Sequence, residues 1–228
     1  MSIQILRKIP FLSAVSTNHL KDILKISQIR EYSGGQQIFS KDEFGNQMFI
    51  VISGRAKIFI RSAAKKSKTI AYFHPGDFFG EMALLQGKPR CASALAVEDC
   101  KLLVIRRTDF RRILLSDPHL TYFLLCTVAE RLRRANEEIE SFLFRNILGR
   151  VSKTLHGLAC DSGKKTRGGC MLPDRYTHQD LADMVGTTRE PLTRALSTLR
   201  RADILDIRHG RYFIRDTRKL AALCPEPN

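Results

Sequence analysis

The spacing of apolar residues changes three times along the chain. In TNHLKDILKIS, residues 17–27, they fall at Leu20, Ile23, Leu24 and Ile26, one face of a short amphipathic helix. From 31 to 107 the apolar runs are short, β-branched and aromatic: QQIFS, QMFIVISG, RAKIFIR, KTIAYF, HPGDFFG, CASALAV and KLLVIRR. Gly34-Gly35, Gly45-Asn46, Gly54 and Pro75-Gly76 punctuate them, as turn residues do. Strands this short and regular predict a compact all-β barrel or roll. Lys65-Lys66-Ser67-Lys68 reads as a solvated hairpin tip.

At Ser116-Asp117-Pro118 the pattern becomes helical, with Ser or Asp as cap and proline in the first turn. In the segment that follows, Thr121, Leu125, Val128, Leu132, Ala135, Ile139 and Phe142 alternate at spacings of four and three. A period nearer 3.5 than 3.6 is a coiled-coil seam, so residues 117–145 are expected to pair with a second copy of the chain. Asn146 is placed to cap the next helix, and the expected domain boundary falls there: 1–145, then 146–228. DSGKKTRGGC, residues 161–170, reads as a loop. YTHQDLADMVGTTREPLTRALSTLRRADIL then predicts helix, turn, helix. Thr177 caps the first helix with Asp180 three residues on, and Gly186 ends it. Thr187 or Thr188 caps the second, with Pro191 in its first turn. ILDIR-HG-RYFI closes the pattern as a hairpin, the wing of a winged helix-turn-helix.

Charge narrows the partner. Over 228 residues, Lys and Arg outnumber Asp and Glu by 38 to 23, a net +15, which favours a polyanion such as nucleic acid or an anionic membrane surface. Residues 146–228 hold 15 basic and 9 acidic residues, a denser excess than in residues 1–145 with 23 and 14. No apolar run reaches the roughly 18 residues that a membrane span needs. The N-terminus MSIQILRKIPFLSAV is broken by Pro10 and Ser13 and reads as mature protein. Six cysteines (91, 100, 126, 160, 170, 224) lack CxxC spacing, so no zinc or iron–sulfur site and no disulfide frame is expected, and the thiols read as reduced in a cytoplasmic protein. No P-loop, metal cluster or nucleophile–base pair points to an enzyme.

Two groups of residues carry candidate chemistry. GDFFGEMALLQGKPRCASALA, residues 76–96, places Glu81 and Arg90 nine residues apart in an apolar, glycine-rich segment. They either pair with each other or bracket a small anionic ligand, for which a planar guanidinium is a natural partner. In the second group, Arg189, Glu190, Thr193 and Arg194 stand near the exposed N-terminal end of the second helix of the helix-turn-helix. That end enters the major groove, where arginine reads guanine and glutamate reads cytosine.

FGEMALLQGKPRCAS (79–93), ERLRRANEEIESFLFRNILGRV (130–151) and HQDLADMVGTTREPLTRAL (178–196) together resemble the CRP/FNR family of bacterial transcription regulators over almost the whole chain. The catabolite activator of that family is a standard example of helix-turn-helix docking. The resemblance implies an α+β protein with an N-terminal cyclic-nucleotide-binding-type β-roll (a jelly roll), a long dimerisation helix and a C-terminal winged helix-turn-helix. It implies a homodimer on inverted-repeat double-stranded DNA, RNA polymerase as a further partner, no cofactor, and a small effector, foremost cyclic AMP. By match to the motif, Gly80, Glu81, Met82 and Ala83 form the ribose side, with Glu81 on the 2′-hydroxyl. Arg90 faces the ligand rather than the core and holds the cyclic phosphate, assisted by Cys91 and Ala92. Ala135 and Asn136 stand where the long helix contacts the base, and Gln179, Thr188, Arg189, Glu190, Thr193 and Arg194 contact DNA. The chain departs from the family at Cys91, a weak donor, at Ala135, which cannot bond a base, at Pro191, and at Asp42, where a turn glycine is common. An effector-independent regulator, a redox input through Cys91 or Cys100, and a nucleotide-binding protein acting on a protein partner are the alternatives.

Overall fold

The computed structural model describes residues 6–7, 9, 12, 15–63 and 66–224; most of the N-terminal stretch and Lys65 lie outside them. The chain divides into two compact units. One holds the residues up to Ile60 with Ile70–Leu132; the other holds Arg61–Thr69 with the residues from Arg133 on.

The first unit opens with helix α1 (Thr17–Ile26), capped by Ser16 and burying Leu20 and Ile23. Eight strands follow, with Arg61 of β4 and Ser67–Thr69 of β5 counted in the other unit: β1 (Gln28–Tyr32), β2 (Gln37–Phe39), β3 (Gln47–Ser53), β4 (Ala56–Arg61), β5 (Ser67–Phe73), β6 (Phe78–Phe79), β7 (Ser93–Ala96) and β8 (Cys100–Arg106). They form two four-stranded sheets, ordered β1-β8-β3-β6 and β2-β7-β4-β5. The pairs with an established register are antiparallel. This is the expected β-roll. Apolar alternation makes it: Phe39, Phe49, Phe73 and Phe79 fill the interior with Val51, Ala94, Ala96 and Leu102, and burial of that surface stabilises it. Asp42 takes the left-handed conformation, φ 66°, so the turn needs that geometry although no glycine is present.

Short helices α2 (Glu81–Gln86) and α3 (Arg107–Ser116) flank the last strands. Helix α4 runs from Pro118 to Phe144, 27 residues. Asp117 caps it, accepting from the Leu120 amide at 3.1 Å, while its other oxygen lies 3.0 Å from His19 Nδ1. The boundary between the compact units falls inside α4, and Asn146 caps the next helix by accepting from the Gly149 amide at 2.9 Å. The predicted seam is exposed: Leu125, Val128, Ile139 and Phe142 are open to solvent, and Leu132 is 62% exposed.

In the second unit, α5 (Ile147–Ser162) leads into β9 (Lys164–Thr166) and β10 (Gly169–Met171), then α6 (His178–Val185), α7 (Arg189–Arg201), β11 (Leu205–Arg208), β12 (Arg211–Ile214) and α8 (Thr217–Ala222). The strands form one sheet, β11-β12-β10-β9. The loop expected over 161–170 is therefore a helix end and a hairpin: Gly168 and Gly169, both at positive φ, turn the chain so that Cys170 pairs with Lys165. The capping box of α6 is complete, Gly186 ends it at φ 72°, and His209-Gly210 turns the β11–β12 wing. Leu181, Ala182 and Val185 pack on Leu192, Leu196 and Leu199 to make the helix-turn-helix core.

Candidate effector site and nucleic-acid interface

Gly80, at φ 83°, is the turn from β6 into α2, and it puts Glu81 at the first helical position with 1% of its surface exposed. Burying a carboxylate requires a partner. Arg131, on α4, supplies it: Nη1 donates to Glu81 Oε1 at 2.7 Å and Nη2 to the Phe78 carbonyl at 2.6 Å, with the guanidinium 4.7 Å from the Phe78 ring centre. Glu81 thus pairs with a residue fifty positions away rather than with Arg90.

Arg90 is 5% exposed and also turned inward. Its Nη1 donates to the Gly80 carbonyl at 2.6 Å and its Nη2 to the Gln47 carbonyl at 2.7 Å, and the guanidinium lies 4.1 Å from the Phe39 ring centre. Two glycines leave the space for it. A Cβ at Gly45 would stand 2.6 Å from Arg90 Nε, and one at Gly80 2.8 Å from Nη1. Burial lowers the Arg90 pKa, against the opposing charges of Glu43, Glu81 and Cys91. Contrary to expectation, the guanidinium is not clear of the core: backbone carbonyls and aromatic faces hold it inside the roll, and Nε is left without a hydrogen-bond partner among the described residues.

At this site Glu81 Oε2, an acceptor, and Arg90 Nε, a donor, are both buried with no hydrogen-bond partner among the described residues. A ligand carrying a hydroxyl and an anionic oxygen matches that pair, since unpaired buried groups are costly. Met82 and Cys91 are exposed, with their sulfurs 4.0 Å apart. Ala83 and Ala92 are buried, leaving only their backbones to offer. Cys100 is buried, its thiol donates to the Arg55 and Glu98 carbonyls, and burial raises its pKa; it is poorly placed as a redox input. Ala135 and Asn136 are exposed on α4. Nothing in ERLRRA marks Arg131 out from Arg133 and Arg134.

In the second unit Thr188 occupies the cap position of α7, with no side-chain bond to the helix amides. Arg189, Glu190 and Arg194 are exposed on the first turns, as expected. Glu190 caps nothing: its carboxylate lies 3.4 Å from Arg194 Nη2, an i,i+4 pair with side chains 80% and 72% exposed. Thr193 is half-buried beside them. Its hydroxyl donates to the Arg189 carbonyl at 2.8 Å and lies 3.0 Å from His178 Nδ1, tying the two helices together. Gln179 is exposed but donates to the buried Asp183 at 2.8 Å.

Residues 29–117 match the cyclic nucleotide-binding domain, and residues 149–223 the Crp-like helix-turn-helix domain. A cyclic AMP receptor protein of Thermus thermophilus is 30% identical over 207 residues, covering 91% of this chain and 93% of that protein. A CRP-like cAMP-activated global transcriptional regulator of Mycobacterium tuberculosis is 27% identical over 218 residues, 96% and 97% of the two chains. The solved structure of CLP, a c-di-GMP responsive global regulator of Xanthomonas campestris, superposes with a TM-score of 0.78 at 22% identity, over 88% of this chain and all of that one, a likeness of fold. With a roll that matches a nucleotide-binding domain, a helix-turn-helix after the long helix, and relatives aligned over nine-tenths of its length, the chain belongs to the CRP/FNR family of transcription regulators.

Proposed function

We propose that the protein is a homodimer that binds inverted-repeat double-stranded DNA and whose operator affinity is set by cyclic AMP bound in the roll. Residues 1–145 are the effector and dimerisation domain, and 146–228 the DNA-binding domain. The observation that carries the effector reading is the pair of unpartnered buried atoms: Glu81 Oε2 accepts from a ribose hydroxyl and Arg90 Nε donates to the cyclic phosphate. Gly80, Met82, Ala83, Cys91 and Ala92 surround them in sequence, and Ala135 and Asn136 meet the base. Two relatives similar over most of the chain are named as a cyclic AMP receptor protein and a cAMP-activated regulator, which supports this nucleotide first. Arg189, Glu190 and Arg194 read base edges, Gln179 and Thr188 contact phosphates, and RNA polymerase is the protein partner. The exposed stripe through Leu125, Leu132 and Ile139 supports dimerisation; Leu132→Asp should give monomers by analytical ultracentrifugation.

Calorimetry tests the effector. Cyclic AMP should bind the full chain and bind Glu81→Gln about 10- to 100-fold more weakly, the worth of one hydrogen bond to a charged group. Equal affinity removes Glu81 from the site; no binding to the parent protein removes cyclic AMP.

A further inference from the structure

We propose that Lys68 is a positioning residue for DNA recognition: it holds the turn of the helix-turn-helix against the end of the long helix. The proposal rests on the DNA-binding reading above. Lys68 stands in a run of charged residues where a solvated hairpin tip is expected. Lys66 is exposed, but the Lys68 side chain is only 18% exposed. A lysine gives up water when its ammonium gains partners, and this one has three. Nζ donates to Glu138 Oε1 at 2.5 Å and to the backbone carbonyl of Met184, and it lies 5.5 Å from the Phe142 ring centre.

The three partners come from two elements that must keep a fixed relation. Glu138 and Phe142 are on the last turns of α4, and Met184 is in the last turn of α6. The final carbonyls of a helix have no partner within it, and a cation at that end complements the helix dipole. Helix α6 has no basic residue in its last turn, so Lys68 supplies the cation that its own sequence lacks. Two residues on, Gly186 makes the turn. A Cβ there would stand 2.7 Å from Phe142 Cζ and 3.4 Å from Lys68 Cδ. Lys68 and Phe142 therefore close directly on the turn that precedes Arg189. A displaced turn moves Arg189 and Arg194 relative to the groove, while the charge those residues offer to phosphate stays the same.

The test compares the full chain with Lys68→Met, which keeps the stem on Phe142 and loses the charge, and with Glu138→Gln, which removes one partner. Each is measured on an operator selected by the parent protein from random duplexes, on non-cognate DNA, and over a salt series. Lys68→Met should weaken operator binding about 5-fold or more, at the lower end of coupling between distinct sites. Affinity for non-cognate DNA and the salt slope should not change, and Glu138→Gln should show a smaller loss of the same kind. Loss on both DNAs with a slope lower by about one would make Lys68 a phosphate contact and overturn the proposal. Unchanged operator affinity would overturn it too. If Lys68→Met does not fold, Glu138→Gln decides alone by the same criteria. A parent protein that binds no DNA refutes the function itself, a result distinguishable from either.

Discussion

The candidate effector site and the second helix of the helix-turn-helix each carry arginine and glutamate, and they hold them in opposite ways. In the roll, Glu81 and Arg90 are sealed from solvent and tied to a remote arginine and to two backbone carbonyls. On α7, Glu190 and Arg194 are about three-quarters exposed and pair with each other. A small ligand has few atoms, so its site must be rigid and already dehydrated, with the few unmatched atoms aimed at it. DNA is a long polyanion that brings its own field, so side chains that meet it are best left mobile and wet until contact. Burial, more than residue type, therefore separates the two sites, and it sets what each substitution should cost.

The largest effect should be at Arg90. Arg90→Leu leaves the Gly80 and Gln47 carbonyls unpaired in the roll, at roughly 1–3 kcal/mol for each buried group. It also removes the stack on Phe39 and, on the proposed reading, the effector's anion partner. Denaturant unfolding should show a loss of about 2–5 kcal/mol together with loss of cyclic AMP binding. Arg194→Leu should change stability by less than about 0.5 kcal/mol. An Arg90→Leu protein as stable as the parent would break the contrast.

The second test isolates the Glu81–Arg131 pair. Glu81 is sealed, but the Arg131 side chain is a third exposed, so solvent screens part of the interaction. Arg131→Ala should destabilise by about 1–3 kcal/mol by leaving a buried carboxylate unmatched. Adding Glu81→Gln should recover much of that loss, a non-additivity that a double-mutant cycle reads directly. Additive losses would mean that the pair is not coupled. On the DNA side, Arg194→Ala should cost roughly 1–3 kcal/mol on cognate DNA and little on random DNA. Equal losses on both would make Arg194 a phosphate contact instead of a base reader.

How far the sequence led differs between these regions for the same physical reason. Local chemistry was legible: the caps at Asp117, Asn146 and Thr177, the turn at Gly186, and the apolar strand Gln47–Ser53 all act within a few residues of themselves. Strand β1, QIREY, is almost wholly exposed and carries no apolar alternation, so it escaped a reading based on burial. The β9–β10 hairpin was hidden by polar and glycine residues, and α2, at six residues, is too short for periodicity. Glu81, Arg90, Arg189 and Arg194 were visible as residue types in motifs. What holds Glu81, Arg90 and Lys68 was not, because Arg131, the Gln47 carbonyl and the Met184 carbonyl lie 43 to 116 positions away and two of those three are backbone atoms. The exposure of Arg189, Glu190 and Arg194 was legible because it follows from the local helix pattern alone.

The smallest effect gives the sharpest form of the comparison. Glu190 and Arg194 form an i,i+4 pair at 3.4 Å with both side chains in solvent. Such pairs contribute about 0.3–0.5 kcal/mol, and salt screens them over about 10 Å at 0.1 M. A double-mutant cycle on unfolding should give a coupling of that size at low salt and none near 1 M. The Glu81–Arg131 cycle should keep most of its coupling over the same range, because its carboxylate is out of reach of counterions. On the proposed reading the weakness of the exposed pair suits its place: DNA would have to separate Glu190 from Arg194 before either met a base, and separation would cost almost nothing. If its coupling instead persisted in high salt, the pair would be a fixed part of the helix surface, and Arg194 would have to be read as held rather than available.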